Sequence, residues 1–321
     1  MKFHANKLTK PLLSLLTVAL LSVVAPLAQA GGDIAFSGDQ IYPESVAWSN
    51  SQHAFLVSSI VHGQIGKVTM NGTYTPFITD PKLISSLGVL ADEKRNTLWV
   101  AVADPGKSVR STPETAGKLA AVAAYNLTTG EPRGYYDLGH LSPGAHLAND
   151  LTLDAEGNLY VTDSFSPIIY RVDTAGNASI FARNDAFEGK DFNLNGIVYL
   201  PDGHLLVDKD NSGELFRIDV KDPGKIERVQ LPAPFKGADG LRLVDSKHLM
   251  LVQNLGTDQT IELVSQDGWK SATIERKEHA HQSMPTAAVK VGKDVYVLNS
   301  RIDNLFDKDA ARVNDFSLQK F

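Results

Sequence analysis

Four oxygen-bearing side chains stand at matching places along this chain of 321 residues: Glu44, Asn149, Asn195 and Asp239. Each opens a segment that runs on into alternating apolar residues. Two are carboxylates and two are amides. A hard divalent cation takes such a set, because two carboxylates balance its charge and two amide carbonyls add donors without adding repulsion. Waters would fill the remaining positions. No His or Cys stands at the matching positions, which argues against a zinc ion held by nitrogen or sulfur. The expectation is one divalent cation bound by Glu44, Asn195 and Asp239, with Asn149 completing the shell or lying just outside it. Calcium comes first, with magnesium, manganese or zinc as alternatives. The competing reading is local: Asn-Gly and Asp-Gly are ordinary turn pairs that satisfy nearby backbone groups.

The elements that must bring these residues together are repeats. Asn149 to Val161, Asn195 to Val207 and Asp239 to Leu251 share one plan, a polar opener, an apolar stretch, a polar turn and a second apolar stretch. Further units open near Glu44, Leu87 or Gly88, and Pro285. The spacing is mostly 43 to 46 residues, within the span of about 40 to 50 usual for a four-stranded blade. The one longer interval fits an inserted loop over Pro105 to Ala116. A third strand follows each pair, as in Ile168 to Val172, then a glycine turn and a short fourth strand. A lone meander cannot bury both of its apolar faces, whereas six packed around an axis can. The spacing therefore predicts an all-β, six-bladed β-propeller rather than two β-sandwiches. It is expected to close by a strand within residues 31–37 pairing near Phe316 to Phe321. In a propeller the innermost strand of each blade lines the channel, so the openers converge on one mouth.

Around those openers the chain resembles the senescence marker protein/gluconolactonase family of six-bladed propellers, with the strictosidine-synthase-like proteins as more distant cousins. The matching pieces are Glu44 to Trp48, Asn149-Asp150 ahead of Asp154 to Ser164, Asn195 to Ile197 before the Pro201-Asp202-Gly203 turn, and Asp239 to Leu241. They span most of the chain after residue 30. The resemblance implies metal-binding roles for Glu44, Asn195 and Asp239. It places Asn149 near both metal and substrate, and Asp150 at the same mouth. It also implies a metal-dependent hydrolase of a small cyclic ester. The sugar-lactone members carry an arginine two residues before that Asn, where it helps hold the sugar; here the position is Leu147, beside His146. His146 is the expected substrate contact. A dication would polarise the ester carbonyl, and Asp239, or secondly Asp150, would accept a proton from the attacking water. The alternative is a non-catalytic propeller that binds a small ligand or peptide around a structural metal.

Composition narrows the field further. There is no Cys, so thiolate chemistry is excluded, and no Gly-x-Ser-x-Gly elbow or well-placed Ser-x-x-Lys is present. Residues 1–30 read as a secretory signal peptide: Lys2, Lys7 and Lys10, an apolar run from Leu12 to Leu27, then Ala28-Gln29-Ala30 before cleavage at Gly31. An uncleaved anchor is the other reading. The expected location is periplasmic or secreted, with residues 31–321 as one domain and no membrane insertion after cleavage. The whole chain carries a charge of -6, about -9 without the three leader lysines, which disfavours nucleic acid or an anionic membrane as a partner; a small-molecule substrate is the partner that the resemblance implies. His62, His279 and His281 read as loop residues. Asp163 and the Asp208-Lys209-Asp210 run read as caps of backbone donors, Trp99 as core, and Trp269 as an exposed turn residue.

Overall fold

The computed structural model describes Met1 and residues 32–321. The expected leader, Met1 apart, lies outside the described residues, as does Gly31. Residues 32–321 form six four-stranded antiparallel sheets, one per repeat. The innermost strands are Val46–Ser49, Ser85–Asp92, Ala148–Leu153, Leu194–Leu200, Ala238–Leu243 and Pro285–Val291. They touch one another in ring order, and the last touches the first. This is the six-bladed β-propeller that the spacing predicts. Among the described residues no helix is long and apolar enough to cross a membrane.

Period-2 alternation explains how the blades stack. In the second strand of blade 1, Phe55 packs with blade 6 while its neighbour Leu56 packs with blade 2. In blade 3, Tyr160 faces blade 4 and Val161 faces blade 2. In blade 5, Leu251 faces blade 4 and Val252 faces blade 6. Each of the six blade-to-blade junctions thus has its own apolar cluster, and both faces of every meander are covered.

The ring closes as expected. Ile34–Ser37 is the outermost strand of the last blade, antiparallel to Asp315–Lys320 with Phe36 opposite Phe316. Pairing the two ends of the chain removes exposed strand edges. The expected insertion is present between Thr97–Ala103 and Ala120–Asn126. Asp104 ties it together, accepting from the Gly106 amide at 2.8 Å and from Thr115 Oγ1 at 2.6 Å. The Val109 amide donates to the Val61 carbonyl at 2.9 Å, which fastens the insertion to blade 1.

The opener pairs Asn195-Gly196 and Asp239-Gly240 are not turns. Ala148 pairs with Asp163 and Leu151 with Val161, so Asn149 and Asp150 together face Thr162 alone. The same two-against-one bulge holds Asn195-Gly196, Asp239-Gly240 and Leu87-Gly88. In blade 6 the ladder slips at Thr286. A bulge re-aims a side chain, and here it turns the first residue of each pair toward the channel mouth. The second residue is Gly in three of the four pairs because the next blade leaves no room. A Cβ at Gly240 would stand 2.4 Å from the Thr286 carbonyl oxygen, and one at Gly196 would stand 2.4 Å from the Asp239 carbonyl oxygen.

Gly240→Ala is therefore expected to destabilise the fold by about 1–3 kcal/mol or more through overpacking. Gly224→Ala, on an outer strand where a Cβ meets nothing closer than 3.6 Å, should stay within about 0.5 kcal/mol of the wild type. Urea unfolding of the two variants checks this; equal stabilities would refute the close-packing account of the bulges.

Candidate metal centre

The channel mouth opens into a pocket of about 570 Å³, measured to its open rim, and Glu44, Asn149, Asn195 and Asp239 all line it. The bulges of blades 3, 4 and 5 deliver the last three. Glu44 lies just ahead of its strand, where Ser58 Oγ accepts the backbone N–H groups of Glu44 (3.1 Å) and Ser45 (2.9 Å). Four buried acceptor oxygens facing this pocket have no hydrogen-bond partner: Glu44 Oε2, Asn149 Oδ1, Asn254 Oδ1 and Thr286 Oγ1. Leaving such a group unsatisfied costs about 1–3 kcal/mol, more when it is charged. Their convergence fits a cation, which accepts several oxygens at once.

The orientation of the amides is enforced from behind. Ser164 Oγ gives its proton to the Leu194 carbonyl at 2.7 Å, so it can only accept from Asn149 Nδ2, at 2.8 Å. Asn149 is thereby held with its oxygen toward the mouth. Asn254 Nδ2 likewise donates to Asp239 Oδ2, leaving Asn254 Oδ1 free. Among the described residues no group of three His, Cys, Asp or Glu side chains forms a metal-binding cluster. The convergent donors are Glu44 and Asp239 together with amides and one hydroxyl.

Burial dominates the electrostatics. It pushes the carboxyl of Glu44 well above its usual range, and Asp239 and Asp150 add repulsion. Burial also raises Asp239, with Asp210 and Asp150 repelling it further, against hydrogen bonds from Asn195 and Asn254. Asp210 also lines the pocket, and burial with the nearby Asp191 pushes it up to about 7. Asp208 sits behind the Asn195 bulge, accepting from the Gly196 amide at 2.8 Å, and burial raises it too, helped by Asp239. A mouth this crowded with carboxyls binds protons in the absence of a compensating charge.

Two expected site residues lie elsewhere. Asp150 is the second residue of its bulge pair and so points away from the mouth pocket, into the deeper channel beside Arg242. Its carboxylate accepts from the Leu151 and Ile197 amides at 2.8 and 3.4 Å, and burial raises it to about 6. His146 does not line the pocket, because both ring nitrogens are engaged in the interior, with Asp163 Oδ2 and the Ser142 carbonyl, each at 2.7 Å. The wall position belongs to Leu147 instead. Asp163 does cap backbone donors, taking the Leu147, Phe165 and Ser166 amides on one oxygen. Trp269 is buried between blades 4 and 5, not exposed, and its indole donates to the Ser246 carbonyl at 3.0 Å. Trp99 is only partly buried, against Tyr136.

Asp210, Asn254 and Thr286 are site residues that the sequence reading passed over. A signal for two of them exists. The residue fifteen places after an opener directly follows the second strand and returns beside the opener, as Ser164 does for Asn149 and Asn254 for Asp239. The same offset from Asn195 leads to Asp210.

In metal-free protein, protonated Asp210 adds stability that is full below its ordinary value of 3.8 and is lost as pH rises through about 7. Metal-stripped Asp210→Asn should thus be more stable than wild type at pH 8, with the gap closing by pH 4. Denaturant titrations in chelator at those two pH values check this; a gap that grows toward pH 4 would contradict it.

No protein-family model matches the chain, and no curated protein matches it by sequence. Solved structures do. The major Malassezia sympodialis allergen Mala s 1 superposes with a TM-score of 0.71 at 18% identity, covering 90% of this chain and 95% of its own. Regucalcin from Agrobacterium tumefaciens, a calcium-binding protein, gives 0.64 at 15% identity over 90% and 94% of the two chains. Virginiamycin B lyase from Staphylococcus aureus gives 0.58 at 12% identity over 89% and 98%. Similarity at these identities is similarity of fold, and the fold these structures share with the chain is the six-bladed β-propeller.

Proposed function

We propose that the chain is a metal-dependent hydrolase of a small cyclic ester or a related ester. One divalent cation would be held at the channel mouth by Glu44, Asn195 and Asp239, with Asn149 completing or bordering the set. The observation that carries this reading is the group of buried acceptor oxygens in one pocket that no donor satisfies. Calcium is the first candidate, since every donor is an oxygen and regucalcin, of the same fold, is a calcium-binding protein. A bound dication supplies Lewis-acid polarisation of the ester carbonyl and a counter-charge for the oxyanion.

The chain's own residues supply the rest. Glu44 and Asp239 balance the charge. Asn149, fixed through Ser164, presents its oxygen without freedom to flip. Asp239 is the proposed base toward the attacking water. Burial keeps its carboxylate more basic than usual, and the Asn195 and Asn254 amides orient it. A cation beside it pulls the other way, so Asp239 acts as base only to the extent that burial outweighs that pull. The apolar wall, with Leu87, Leu147 and Ile60, limits bulk water around the reacting carbonyl.

A second reading keeps the same pocket but omits turnover. Phe192, Leu255 and Phe306 are exposed at its rim, as a propeller that merely captures a ligand would have them.

Metal-loaded protein assayed on a panel of lactones and esters separates the two. Asp239→Asn keeps an oxygen donor and deletes the base. It should retain metal, more weakly, and lose on the order of 10²- to 10⁴-fold in kcat on the best substrate. If metal content and activity fall together and excess metal restores both, Asp239 acts as a ligand alone. If the wild type turns over nothing while still binding panel members, the hydrolase reading fails and the binding propeller stands.

A further inference from the structure

We propose that the molecule this pocket takes is uncharged and apolar away from its ester group, an alkyl- or aryl-substituted lactone or ester and neither a polyol nor an anion. The proposal rests on the reading of the mouth as an ester-hydrolysing site and names the substrate class of that site. Its first support is how the wall is built. The polar residues of the pocket, Glu44, Asn149, Asn195, Asp210, Asp239, Asn254 and Thr286, come from the openers, two of their fifteen-residue partners and the slipped position of blade 6. The remaining lining residues are apolar. Leu87 apart, they come from separate connections, among them Pro105 from the insertion, Phe192 from the segment before Leu194–Leu200, Leu255 from the turn before Gln259–Val264, and Ile302 and Phe306 from the connection after Asp294–Asn299. Loops from different blades have converged on one chemical character, and loops are where a rigid scaffold carries specificity.

The second support is exposure. Large apolar side chains at the protein surface are few among the described residues, and Phe192 (38%), Leu255 (65%) and Phe306 (42%) gather at this one rim. They are held in place. Phe192 packs on Phe165 with centroids 5.4 Å apart, and Lys107 of the insertion lies 5.0 Å above the ring of Phe306. Leu255 and Met284, both lining residues, adopt left-handed backbone with φ of 53° and 51°. Non-glycine residues keep that conformation only where their surroundings enforce it, and such strain clusters at functional sites.

The third support is charge. Among the described residues lining the pocket there is no Lys, Arg or His, while Glu44, Asp210 and Asp239 are all present. Two of these carboxylates would balance a dication, so a carboxylate or phosphate on the substrate would meet no counter-charge from the pocket lining. A polyol fares no better. Its hydroxyls would lie along a wall without partners, and each buried hydroxyl left unpaired lowers affinity about tenfold or more. An alkyl or aryl arm meets Leu147, Met284, Ile302 and the rim aromatics instead.

The test uses the metal-loaded protein and one series of δ-lactones, unsubstituted, propyl-substituted and pentyl-substituted, with glucono-1,5-lactone as the polyol. The matching δ-lactams serve as hydrolysis-resistant ligands in calorimetry. kcat/KM should rise about three- to fourfold per methylene while the arm lies within the wall, and the sugar lactone should fall at least a hundredfold below the best alkyl lactone. The double variant Phe192→Ser/Leu255→Ser, altered only at exposed positions, should flatten this slope, with a loss in kcat/KM that grows with the length of the arm. Turnover with no chain-length slope, or with the sugar lactone preferred, overturns the apolar assignment and leaves the hydrolase reading intact. Lactams that bind with the slope while no lactone is turned over uphold the apolar assignment and overturn the hydrolase reading. Absence of a slope in both turnover and binding overturns the assignment outright.

Discussion

Acceptor oxygens are gathered at the axis of this propeller and denied donors. Glu44 Oε2, Asn149 Oδ1, Asn254 Oδ1 and Thr286 Oγ1 are buried in a single pocket without partners, in a protein whose backbone donors are otherwise taken up by six sheets. Unsatisfied buried acceptors oppose folding, so they persist only where the rest of the molecule holds them. Bulges aim Asn149 and Thr286, Ser58 holds the backbone at Glu44, the glycines let adjacent bulges approach, and Ser164 fixes the amide of Asn149 from behind. The raised carboxyls of Glu44 and Asp239 express the same constraint in charge, since burial and like-charge neighbours both disfavour ionisation. A dication at the mouth, as proposed, would answer both problems together.

Ring closure makes the arrangement rigid. The unpartnered oxygens come from blades 1, 3, 5 and 6, so no blade carries the set alone. Pairing of Ile34–Ser37 with Asp315–Lys320 closes the last blade, and the apolar clusters at the six junctions prevent the blades from moving apart independently. Sites built on packed strands hold their donors more precisely than sites on loops. The apolar wall is different in kind. Apart from Leu87, it is made of connecting segments, where side chains can vary without disturbing the ring.

Much of this was legible before any coordinates. Repetition at 43 to 46 residues gave the blade count, and the shared position of Glu44, Asn149, Asn195 and Asp239 placed all four in one pocket. What was not legible follows from the bulges. A two-against-one step sends Asn149 and Asp150 in different directions, and sequence alternation alone cannot say which faces the mouth. His146 is polar and three residues from Asn149, but Asp163 and the Ser142 carbonyl hold both of its nitrogens in the interior. Trp269 follows a glycine in a polar turn, yet it adopts φ of 64° and buries its ring between two blades. Asp210 reads as a cap and Asn254 carries no mark in the sequence; both follow second strands, and only hairpin pairing brings them back beside the openers. Apart from Leu87, the wall residues lie in non-repeating connections, where no periodicity marks them.

The most direct measurement is the thermal unfolding midpoint of chelator-treated protein as calcium is raised over several decades of concentration, for the wild type and for Glu44→Gln. A ligand that binds only the folded state adds about 2.7 kcal/mol of stability at a hundred times its Kd. The wild-type midpoint should therefore climb steadily with calcium, and the Glu44→Gln midpoint should climb only at far higher concentrations. A wild-type midpoint unmoved by calcium, magnesium, manganese or zinc would contradict a cation site at the channel mouth.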